Sequence, residues 1–163
     1  MLMFLYVVLS IVTFVYLILA TKMDLKERQI YTMPCFFLTI SWSLYLLDTE
    51  AFVWQELVLY WLLIHVLWRL FNRYKVWGEG DSDIFILLCN VILATLWSGS
   101  WVTILIADCV CLICALAVAI LVAVFEYGDM NLRLEPDSKV AVVPGFSVVI
   151  CCLLIFGFIG RVI

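Results

Sequence analysis

A chain of 163 residues that is 67 % hydrophobic, with a mean hydropathy of +1.21, holds more apolar side chain than a soluble core of that length can bury; soluble domains are about half apolar. This excludes a soluble globular enzyme and predicts one membrane-embedded, all-α domain over residues 1–163. The net charge of −4 lies in a few short loops with no basic cluster, which excludes a nucleic-acid partner and leaves the lipid bilayer as the expected surrounding.

About 20 apolar residues cross a bilayer as a helix. In chain order the candidate spans are Leu2–Thr21, Tyr31–Leu47, Ala51–Leu70, Asp81–Trp97, Trp101–Phe125 and Pro144–Gly160. The breaks between them fall at Lys22–Ile30, Asp48–Glu50, Phe71–Gly80, Ser98–Ser100 and Glu126–Val143. The first run has no basic residue ahead of it, and Lys22 and Lys26 follow it, the reverse of a secretory signal, so it is expected to stay as a span. Lys22, Lys26, Arg28, Arg69, Arg73, Lys75, Arg133 and Lys139 lie in or beside the first, third and fifth loops, and Arg161 alone lies at the other side. The positive-inside rule then places those three loops in the cytoplasm and both termini outside. Trp54, Trp77, Trp97 and Trp101 sit near span ends, as interfacial aromatics do. The fifth loop, with Gly128, Asn131 and Pro136, is the one long irregular stretch and reads as a solvated connector rather than a cover.

Two carboxylates fall on the same predicted face. Asp24 ends the first span and Asp81 opens the fourth, directly after Gly78-Glu79-Gly80. Ionisable groups at membrane depth are costly and are functional candidates by default. Two aspartates hydrolyse a peptide when one is ionised and takes a proton from water while the other, protonated, polarises the scissile carbonyl. Like charges held close resist double ionisation, so one pKa of such a pair rises, and the values belong to the pair. Gly78 and Gly80 are expected to allow backbone angles that other residues avoid and to let a substrate strand approach. The following helix would offer its N-terminal dipole to Asp81. Glu79 would orient that turn or simply face water.

These residues resemble the two motifs of the prepilin peptidase family, six-span GxGD aspartyl proteases of the membrane. Asp24-Leu-Lys-Glu-Arg28-Gln-Ile30 matches the family's aspartate, basic stretch and isoleucine, with Tyr31-Thr32 standing where the family has Pro-Asn. Gly78-Glu79-Gly80-Asp81-Ser82-Asp83-Ile84 matches Gly-x-Gly-Asp-x-Lys-Leu, with Asp83 in place of the lysine. Ala141-Val-Val-Pro144-Gly-Phe146 resembles the family's Pro-Phe-x-Pro-Phe with one proline lost, which makes Pro144 a candidate modulator. The resemblance implies catalytic Asp24 and Asp81, no metal or organic cofactor, and location in a bacterial or archaeal cytoplasmic membrane. It also implies prepilin-like or pseudopilin-like substrates, cut between a short basic leader and an apolar helix. It is a short form, with no room between the first two spans for the domain that methylates the new N-terminus. Asp83 should point away from Asp81 once the helix has begun, since two positions turn a helix by about 200°, and it would modulate the pair or bind a basic leader.

The remaining polar residues define the rival readings. Seven cysteines lie in apolar segments; Cys109-x-Cys111-x-x-Cys114 lacks a second ligand pair and reads as packing rather than a zinc site. Asp108 and Asn90 lie inside spans and are expected to contact each other. His65, near the cytoplasmic end of the third span, is within range of the pair but reads first as a hydrogen-bonded structural group. Glu56 should face water at the outer interface. A small transporter subunit would use Asp108, Asn90 and His65 as polar lining; a non-catalytic relative would need the spans and neither Asp24 nor Asp81. The residues leave the oligomeric state open.

Overall fold

The computed structural model describes residues 2–27, 29–49, 51–74, 78–127 and 141–162, the Glu79 and Val162 side chains excepted. Six helices run in chain order: α1 Leu2–Glu27, α2 Thr32–Asp48, α3 Trp54–Arg73, α4 Glu79–Leu96, α5 Trp101–Tyr127 and α6 Val143–Val162. The described residues hold no strand. Three of the helices, α1, α5 and α6, are long and apolar enough to cross a membrane. Helix α2 has 17 residues, and α3 and α4 carry charged residues in their end turns. The connection 128–140, where a cover or connector was expected, lies outside the described residues, as does Trp77.

The helix ends follow local chemistry. Pro34 and Pro144 both sit in a first turn, where the missing N–H costs no intrahelical bond. Helix α1 does not stop at Thr21 as the charge pattern suggested. It runs through Glu27, because Lys22, Met23, Leu25, Lys26 and Glu27 are good helix formers and no glycine or proline interrupts them. Asp24 therefore belongs to a helix, not to a loop. Gly99, at φ 82°, makes the tight α4–α5 turn and is the positive-φ glycine of the described residues.

Helix α4 is the axis of the bundle. Every residue from Ile84 to Ala94 is buried, and α2, α3, α5 and α6 all pack on it. A helix that is apolar all round belongs in such a place. Helix α1 packs on α2 and α6, and α5 on α6. The α5–α6 contact is close: Ala115, Ala119 and Ala123 are buried at four-residue spacing, and a Cβ added to Gly145 would lie 2.0 Å from the Ala115 carbonyl oxygen. Small residues permit this backbone approach, as between membrane helices. The outer surface is the apolar one: Phe4, Leu59, Phe125 and Phe156 are each more than half exposed.

Hydrogen bonds tie the helices at several levels. Trp42 Nε1 donates to Thr13 Oγ1 at 3.0 Å, and Thr21 Oγ1 to Ser147 Oγ at 2.8 Å. Asn90 joins three helices: it accepts from Trp61 Nε1 at 3.0 Å and donates to Ser43 Oγ at 3.0 Å. The expected Asn90–Asp108 contact is not made. Tyr60 takes Asp108 instead, its hydroxyl 2.9 Å from Oδ2, while its neighbour on α3, Trp61, takes Asn90. Glu56 is exposed and accepts from Trp101 Nε1 at 2.7 Å. At the far end, Arg161 donates to the carbonyls of Gly157 at 2.8 Å and Ala94 at 2.6 Å and lies 3.9 Å over the Tyr6 ring.

Candidate functional site

The last turn of α1, the first turn of α4 and the first turn of α6 meet at one end of the bundle. Asp24 is 7 % exposed and its Oδ2 accepts the Val143 N–H at 3.2 Å, which caps α6. The N-terminus of a helix supplies unpaired N–H groups and a positive dipole end, so α6 presents both to this carboxylate. Thr21 and Ser147, one turn away, fix the α1–α6 register that brings Asp24 there.

Asp81 is the third residue of α4, ahead of the buried apolar stretch that begins at Ile84. Its Oδ2 accepts the Gly78 N–H at 3.0 Å. The Asp24 carboxylate lies near enough for its charge to bear on Asp81. The two aspartates, 57 positions apart in sequence, thus act on each other electrostatically.

The glycines work differently from the expectation. Gly78 has φ −68° and Gly80 is helical, so neither uses the angles reserved to glycine. What matters is the absent side chain. A Cβ on Gly80 would lie 2.5 Å from Ile30 Cγ1, and one on Gly78 would lie 3.1 Å from Asp81 Oδ2. Gly80 therefore lets the segment after α1 press onto the start of α4. Ser82, fully buried, donates to Asn72 Oδ1 and joins the end of α3 to the same turn. The Glu79 side chain lies outside the described residues.

The other named residues separate into two groups. Pro144 is buried beside Val143, so the proline stretch does belong to the Asp24 corner. Asp83 points to the other side of α4, where its Oδ1 accepts from Trp68 Nε1 at 3.2 Å. His65 is exposed and goes with Asp83, lining the same cleft, and its Nδ1 bonds the Trp61 carbonyl at 2.8 Å. Cys109 and Cys114 are exposed on α5, and among the described residues no three His, Cys, Asp or Glu side chains stand where they could share a metal ion.

Ile30, Ser82, Trp68 and the Val143 amide escape a reading of the sequence. Ile30 is the isoleucine of the first motif, and its pairing with Gly80 of the second is the signal that could have found it. A backbone amide leaves no trace in the sequence at all. Comparison with protein-family models, with characterised proteins and with solved structures finds no match to this chain.

Proposed function

We propose that this protein is an aspartyl endopeptidase of the membrane, related to the prepilin peptidases, which removes a short basic leader from prepilin-like or pseudopilin-like proteins at the cytoplasmic face. The observation that supports the reading is the Asp24–Asp81 pair: two carboxylates from separate helices brought near each other at one end of the bundle, Asp24 buried and each bonded to the first turn of a helix. Two carboxylates held close resist double ionisation and share one proton. In the proposed reaction the ionised carboxylate takes a proton from water as the water oxygen bonds to the scissile carbon. The protonated one hydrogen-bonds the carbonyl oxygen; as the tetrahedral intermediate collapses, the C–N bond breaks and the departing nitrogen takes a proton from the pair.

In this reading all six helices cross the bilayer, with both termini outside. Two features support it. Helices α2 and α3 expose Phe36, Phe37, Leu44, Leu62 and Val66, a surface suited to lipid, and both pack on the same central α4 as the longer spans. Lys22, Lys26, Arg69 and Arg73 gather at the end that holds the pair, while Arg161 is at the opposite end.

A purely structural role for the pair is the competing reading, favoured by one observation: each carboxylate also caps a helix start. Asparagine separates the two. Its side-chain oxygen still accepts the cap hydrogen bond, but an amide cannot hold the shared proton. The test is co-expression with tagged prepilin-like substrates, read by gel shift and by the mass of the new N-terminus. Cleavage by the wild type that disappears in Asp24→Asn and in Asp81→Asn, with both variants folded and inserted, supports the peptidase. Full cleavage by Asp81→Asn refutes it.

A further inference from the structure

On the face of α4 turned away from Asp81, a cleft of about 430 Å³ opens between α2 and α3. Both helices pack on α4, and among the described residues neither packs broadly on the other. The Trp61–Asn90–Ser43 tie closes the cleft at mid-bundle. From there it runs toward the end that holds the aspartate pair, along Thr32 to Ser43 of α2, roughly 16 Å at the helical rise. Its walls are apolar at Phe36 and Ile86, and its small hydroxyl residues Thr39 and Ser43 permit close approach by another helix.

Among the described residues that line the cleft, Asp83 is the charged one. Its carboxylate accepts from the Trp68 indole, and a carboxylate can take more than one donor at a time. A carbonyl only accepts, so His65 Nδ1 carries the proton in its bond to Trp61, and in the neutral ring Nε2 is an acceptor. An apolar trough with acceptors near its charged end complements an apolar helix that begins with a cationic donor. Asp83 follows Asp81 by two residues, about 3 Å along the axis, so a cation held at Asp83 lies at the level of the aspartate pair.

We propose that this cleft docks the membrane helix of the substrate, with Asp83 receiving a lysine or arginine at the helix start. The assignment of cleavage to this end rests on the peptidase reading; the docking itself does not. This would make Asp83 a positioning residue for the substrate, serving where the related family carries a lysine.

The test uses the full chain with Asp81→Asn, so that docking is read without cleavage. The photo-crosslinking residue p-benzoylphenylalanine replaces Phe36, which is 57 % exposed at the cleft, or Phe156, which is 64 % exposed on α6. The probe is a synthetic single-span peptide with one lysine directly before its apolar helix. The expected result is crosslinking at position 36 about tenfold above position 156, reduced about tenfold by Asp83→Lys and restored when the peptide lysine is changed to glutamate. Asp83→Asn keeps an acceptor for Trp68 and removes the charge, so it should lower the yield without loss of fold. Equal labelling at the two positions, or an unchanged yield in Asp83→Asn and Asp83→Lys, overturns the proposal. Crosslinking at position 36, together with no cleavage of any substrate by the chain that keeps Asp81, upholds the docking cleft and removes the peptidase reading alone.

Discussion

Gly80→Ala should change the sign of its effect according to what stands at position 30. In a helix, alanine in place of glycine is worth about 0.5–1 kcal/mol of stability. Here the new Cβ would lie 2.5 Å from Ile30 Cγ1 and 2.8 Å from Cδ1, both too close, so Ile30 or the helix start must shift. Overpacking of this kind costs about 1–3 kcal/mol. The balance in the wild-type background is a net loss of about 0.5–2 kcal/mol. Ile30→Ala removes both offending atoms and leaves Cβ at 3.9 Å, an ordinary contact. In that background Gly80→Ala should stabilise by about 0.5–1 kcal/mol, which makes a coupling of about 1–3 kcal/mol between the two sites. Equilibrium unfolding in mixed micelles, with rising mole fraction of sodium dodecyl sulfate, measures all four corners of the cycle. Additive effects, with Gly80→Ala stabilising in both backgrounds, would refute the packing of the first motif on the second.

Cleavage should decline on the alkaline side, as the pair loses its shared proton; a rate still climbing at pH 9 would argue against a protonated partner. Gly145→Leu should abolish accumulation of folded protein, since its Cβ meets the Ala115 carbonyl, which is backbone and cannot rotate aside; wild-type yield and melting would contradict the close α5–α6 contact. Asp108→Asn should leave cleavage within about twofold of wild type, because Asp108 bonds Tyr60 and not the pair. Loss of cleavage there, with the fold intact, would shift weight to the transporter reading.

The pattern of apolar runs and charged breaks located the six helices, with most ends within about three residues, although only α1, α5 and α6 are long and apolar enough to cross a membrane. The exceptions are instructive. Residues 22–27 look like loop by charge but are helix by propensity, and the error matters since Asp24 lies among them. The two aspartates were legible because a carboxylate between apolar runs has few inexpensive places to be. Their environment was not. Nothing around Asp24 announces that the amide of Val143, 119 residues later, will bond it. Gly78 and Gly80 were noticed for backbone freedom, yet their use is steric, and that depends on which side chain arrives from elsewhere. The helical turn predicts that Asp83 points away from Asp81, as it does, but that His65 lines the same cleft depends on how α3 packs on α4 and leaves no mark in the sequence.

Arg161 grips the carbonyls at the far ends of α4 and α6 and rests on Tyr6 of α1, so three helices are pinned together at the end away from the aspartates. A bundle fastened at one end would work like a pair of tongs, with Arg161 as the pivot and the tips at the Asp24 end as the jaws. Under the proposed function, a peptide strand entering between α1 and α4 would need angular spreading rather than separation of whole helices, with the contacts near Arg161 staying closed. Distances between spin labels placed at both ends, measured with and without a bound substrate peptide, should lengthen at the Asp24 end only; Arg161→Gln should let the other end move as well.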